Sequence, residues 1–107
     1  MFEGQKYLTR GIQEEIGIDI QILMWKLINN IRKREGFKLD YLQTFDLEVI
    51  EIDGLNFQRI THKQEVEPYF DTNVFRVKKP VSEKIFVISS INEELKEYSI
   101  MMLSEEY

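Results

Sequence analysis

Between residues 18 and 35 the apolar side chains recur with the spacing of a helix, and Gly36 follows as a residue able to take the left-handed backbone that ends one. At about 100° per residue, Ile20, Leu23, Met24, Leu27, Ile28 and Ile31 fall on one arc, the predicted core face. Ile18, Ile22 and Trp25 fall on the far side, divided from it by Gln21 and Arg32 on one flank and by Asp19 and Lys26 on the other. One stripe suffices for a helix lying on a sheet. The second stripe needs a cover, either another part of the same chain or a protein partner anchored on Trp25.

Beyond the helix the period drops to two. Asp53-Gly54, set between apolar alternations, predicts a two-residue type I′ hairpin, in which both turn residues need φ > 0. The register follows: Ile52 faces Leu55, Ile50 faces Phe57, Glu48 faces Arg59, Leu47 faces Ile60 and Phe45 faces His62. Glu48 opposite Arg59 is a favourable cross-strand pair. The same register puts Tyr41, Phe45, Leu47 and Val49 on one face, then switches the apolar residues to the other as Ile50, Ile52, Leu55 and Phe57. A bulge near Val49 or strong twist is the expected remedy; the alternative is a tip that offers its apolar face to a partner. Residues 73–79 and 83–90 read as two more strands separated by Pro80, and Ile85, Phe86, Val87 and Ile88 are apolar on both sides, as in a strand covered on both faces. The last segment is expected to pair back on 85–90 through a turn at 92–95. Residues 5–15 read as a first strand bent at Gly11.

These elements predict one α+β domain over residues 1–107, with one long helix packed on a mostly antiparallel sheet of five or six strands. Length agrees, since 107 residues support one core. The absence of cysteine excludes disulfides, thiolate nucleophiles and cysteine zinc sites, and fits a reducing compartment. The first residues carry no basic segment followed by an apolar run, and no stretch approaches the roughly 18 apolar residues that span a bilayer, so a cytoplasmic setting without membrane contact is expected. A net charge of -5 argues against phosphate backbones as partners.

Candidate chemistry is sparse. His62 is the single histidine, and Glu65 points to the opposite side of a strand, so no metal site is expected there. His62 is expected to pack beside Phe45. The paired acids at 14–15, 93–94 and 105–106 read as solvated surface, and no nucleophile motif or glycine-rich phosphate loop is present. Arg32, Lys33 and Arg34 complement the negative end of the helix. No cofactor is expected. The leading expectation is a non-enzymatic protein–protein interaction domain, bound to a protein partner or to itself as a homodimer, that uses Ile18, Ile22 and Trp25, with Ile50, Ile52, Leu55 and Phe57 as a second surface. The alternative is a small-ligand or nucleic-acid binder that gathers Arg10, Tyr41, His62 and Tyr69 around one pocket.

The motifs Lys6-Tyr7-Leu8-Thr9-Arg10-Gly11, "QEEI", "DYLQTF" and "HKQEVEPY" together resemble a family of small uncharacterised proteins of Gram-positive bacteria and their phages, a domain-of-unknown-function family. The resemblance spans most of the chain. It implies a bacterial setting and carries no activity with it. The family pattern has proline where Gly17 stands, and glycine starts a helix less firmly.

Overall fold

A computed structural model describes residues 1–107. The chain runs β1 (Gln5–Leu8), α1 (Arg10–Glu15), α2 (Ile18–Arg32), β2 (Leu42–Ile52), β3 (Leu55–Gln64), β4 (Tyr69–Phe75), β5 (Glu83–Ile91) and β6 (Glu97–Leu103), then a 3-10 turn at Ser104–Glu106. The six strands form one sheet in the order β1-β6-β5-β2-β3-β4. Every pairing is antiparallel except β1 with β6. The α+β expectation of one long helix on a mostly antiparallel sheet holds, with six strands and a parallel edge.

Both helices pack on one face. Alternation sends Phe45 and Leu47 of β2, Ile60 of β3, Ile85 and Val87 of β5, and Met101 and Leu103 of β6 toward them. α2 answers with Ile20, Met24 and Ile28, α1 with Ile12, and Ile16 and Phe2 close the cluster of 13 buried residues. Each such isoleucine contributes about 1.5–3 kcal/mol by leaving water. The alternate residues Leu42, Phe86, Ile88, Ile100 and Met102 lie on the second face, which no helix covers; they are half-buried, and the C-terminal Tyr107 ring meets Phe86 edge-on at 5.5 Å.

Four expectations need correction. The first strand stops at Leu8, and the rest of that segment is helical, because Thr9 caps α1 by accepting from the Ile12 amide. α2 ends at Arg32, three residues early, with Lys33 as its cap; Gly36 does take positive φ, at 76°. β4 occupies Tyr69–Phe75 rather than 73–79: β3 extends to Gln64, so a short turn after it obliges the return strand to begin at Tyr69, opposite Gln64. No bulge interrupts the hairpin, whose pairing is continuous from Thr44↔Lys63 to Ile52↔Leu55. All five pairs expected from the turn are present, with Asp53 at φ 50° and Gly54 at 79°. The last segment pairs back on β5 as expected, through a turn in which the Asn92 Oδ1 accepts from the amides of Glu94 and Lys96.

Candidate interaction surface

The hairpin outruns the sheet. β5 accompanies β2 only as far as Leu47, opposite Glu83, and β4 accompanies β3 only from Gln58, opposite Phe75. Beyond those points the two long strands have no further strand beside them, and the Val49 amide donates to the Ser82 hydroxyl at 3.2 Å. The departure point is latched by Gln58, whose buried amide donates to the carbonyls of Glu48, Arg59 and Val81 and accepts from the Val81 amide. On the projecting ribbon Ile52 and Leu55 are exposed, and Ile50 and Phe57 are half-buried. By alternation these four lie on the helix-free face, in line with Leu42, Phe86, Ile88, Ile100 and Met102. Ion pairs cross the middle of that face, Arg59 with Glu48 at 2.8 Å and Lys63 with Asp46. The apolar surface therefore has a polar divider.

The helix patch is smaller and partly met by the chain itself. Trp25 is half-buried against the core, and Lys6 of β1 lies over its ring at 5.5 Å. Ile18, at 67% exposure, and Ile22 remain open to solvent.

His62 and Tyr69 come together, with ring centroids 5.3 Å apart, but Arg10 and Tyr41 do not join them. Arg10 lies on α1, paired with Glu14 at 2.8 Å, and Tyr41 is exposed at a bend before β2. His62 stacks on Phe45 at 4.4 Å, as the sequence register requires. Its surroundings are a buried network. The Gln43 Nε2 donates to the Gln64 Oε1 at 2.7 Å and to the Asp40 carbonyl at 2.9 Å. The Gln43 Oε1 is left to accept, so the His62 Nε2–H donates to it at 2.6 Å and Nδ1 stands unpartnered. Gln64 in turn donates to the carbonyls of Lys38, Val66 and Glu67. The network pins the segment after α2 and the β3–β4 turn onto the sheet. Burial lowers the His62 pKa to about 4, against a smaller opposing effect of Asp71, so the ring is neutral. Burial and then the Asp71 carboxylate push the Tyr69 phenol up.

Glu15 and Glu105, which read as surface acids in the sequence, converge with Glu83, and the three bring ligand atoms within 4.8 Å of one another. Partial burial, then the charges of Glu15 and Glu105, push the Glu83 carboxyl above its ordinary value. β1, β6 and the turn between β5 and β6 meet at an open groove of about 790 Å³ lined by Gln5, Tyr7, Asn92, Lys96 and Tyr98 among others. No helix is long and apolar enough to cross a membrane.

Fold and surface together describe a small two-layer α+β domain with a helix-free sheet face. Residues 5–106 match the family described as "Staphylococcal protein of unknown function (DUF960)", and the chain belongs to that family. Among solved structures it is similar to the crystal structure of a protein of unknown function from Enterococcus faecalis, with 18% identity over 100% of this chain and 98% of that one, and a TM-score of 0.62. At that identity the likeness carries the fold. Among curated proteins none matches. Both comparisons point to Gram-positive bacteria, in keeping with the motif resemblance.

Proposed function

We propose that this chain is a non-enzymatic protein–protein interaction domain of the cytoplasm, and that its contact surface is the bare sheet face with the projecting hairpin tip. The observation that supports this is the second apolar face of β5 and β6. Strands apolar on both sides belong to covered sheets, yet no helix lies over Phe86, Ile88, Ile100 and Met102, and Phe86 meets the terminal Tyr107 ring edge-on. The tip adds Ile50, Ile52, Leu55 and Phe57 on the same face, so the apolar residues form two clusters on either side of the ion pairs rather than scattered spots. Aromatic and methionine side chains are the types that anchor interfaces, and the Glu48–Arg59 and Asp46–Lys63 pairs would set orientation. Ile18, Ile22 and Trp25 form a smaller second surface on the helical side.

Sedimentation of the wild type and of Phe57→Lys and Ile88→Lys tests the reading. The wild type is expected to sediment above monomer mass at high micromolar concentration, and both variants to sediment at a lower mass than the wild type with unchanged far-UV circular dichroism. A wild type that stays monomeric, or an assembly that neither variant weakens, would sink it.

A further inference from the structure

We propose that the chain pairs edge to edge with a second copy of itself through β4. This goes beyond the reading above, because it needs no contact on the bare face and leaves that face open. β4 ends the sheet, so its seven residues bond to β3 on one side only. Edge strands are commonly guarded by a lysine, a proline or a bulge. Between Tyr69 and Phe75 there is neither lysine nor proline, the one charge is Asp71 on the helix-side face opposite His62, and the pairing with β3 is unbroken from Gln64↔Tyr69 to Gln58↔Phe75. The strand's outward residues on the bare face are exposed, Phe70 at 70% and Val74 at 45%. The other edge, β1, has four residues in a parallel pairing and offers a much shorter template.

The residues of β4 select both the partner and the register. Two antiparallel copies related by a two-fold axis normal to the sheet set each residue opposite one on the same face. Pairing most of the strand then leaves the axis at Asp71, Thr72 or Asn73. At Asp71 two carboxylates would oppose each other, a destabilising like-charge pair, and Val74 would meet Pro68. At Asn73 Phe70 would meet Arg76. At Thr72 Phe70 of each copy meets Val74 of the other, Tyr69 meets Phe75, Asp71 meets Asn73, and Thr72 meets its own counterpart. Only the last register pairs the apolar residues on both faces and sets no like charges together. It gives the exposed Phe70 a cover and joins the two bare faces into one. An edge of this length buries less than the roughly 1,200 Å² of a standard interface, so the dimer is weak, with a Kd on the order of tens to hundreds of micromolar.

Sedimentation equilibrium from about 10 to 500 µM spans that range. The wild type is expected to show a monomer–dimer equilibrium, and Phe70→Lys and Val74→Lys each to weaken it about tenfold or more, since each removes two symmetric contacts and restores a guarding charge. Circular dichroism and melting midpoint should hold, because both side chains are exposed. The chain has no cysteine, so a single introduced thiol reports the register. Thr72→Cys should form a disulfide dimer under oxidising glutathione far faster than Arg76→Cys, which this register sets opposite Pro68. A wild type monomeric throughout, a dimer indifferent to both lysines, or equal cross-linking of the two thiols would overturn the pairing. A dimer that survives Phe70→Lys but is lost with Phe57→Lys would overturn it while supporting the bare-face reading, so the two proposals fail separately.

Discussion

His62 sits in the core as a neutral ring with one nitrogen committed to Gln43 and the other to nothing. Its folded pKa of about 4 lies below the ordinary 6.5, so the unfolded chain binds the proton more readily. This stability is fully present above pH 6.5 and is lost as pH falls toward 4, a difference of roughly 3 kcal/mol across that window. The imidazole resonances of this single histidine should titrate below pH 5, and His62→Leu should flatten that part of the stability profile. A histidine titrating near 6.5 would mean the ring is solvated. Glu106 works in the same sense from the carboxylate side. It accepts from the Thr9 hydroxyl, the Leu103 amide and the Gly11 amide, which hold its pKa below the ordinary carboxylate value. Its contribution is present above the unfolded pKa and fades as pH falls through the folded one. Glu106→Gln should therefore lower the melting midpoint at pH 7 and bring no loss at strongly acid pH, as thermal scans at both pH values would show. The place of His62 beside Phe45 was legible from the hairpin turn alone. The glutamines around it were not, because a buried amide looks like a surface one until its partners are known. Parity held the one available hint, since Gln43 lies in the inward series with Phe45 and Leu47.

At the scale of elements, the hairpin shows what a local signal can specify. Asp53-Gly54 demands positive φ at both positions, and that demand alone sets every cross-strand pair down to Phe45↔His62. Replacing Gly54 with alanine should cost about 1 kcal/mol, since nothing crowds the missing Cβ and only the left-handed backbone is penalised. Ile52→Lys should change stability by no more than about 0.5 kcal/mol, as an exposed tip residue would. Urea unfolding of the two variants checks both figures, and a large loss for Ile52→Lys would mean that the tip is folded back on a core. Where the sequence misled, tertiary demands decided. Residues 10–15 carry few strong helix signals apart from Thr9, and they become α1 because that places Ile12 and Ile16, one helical turn-spacing apart, in the core. β4 slid toward the turn for a similar reason: its bounds answer to the length of β3, which its own residues do not reveal.

For the molecule as a whole, the two apolar surfaces lie on opposite sides of one sheet, and this makes them separable. Trp25 packs toward the helical layer beneath Lys6, whereas Phe57 belongs to the helix-free face. The sequence revealed that the chain had more apolar surface than one layer could cover. It could not show that most of the surplus lay on the strands, because that depends on both helices taking the same side. The chain partly shields Trp25 without help, so its emission should be blue of a fully exposed indole and should stay fixed as protein is diluted from high to low micromolar. The paired reporter is Trp25→Phe combined with Phe57→Trp, which moves the only indole to the proposed contact. Its emission should shift to the red on dilution while circular dichroism holds. If instead the wild-type spectrum moves and the relocated indole does not, the partner sits on Ile18, Ile22 and Trp25, and the helix patch rather than the sheet is the working surface.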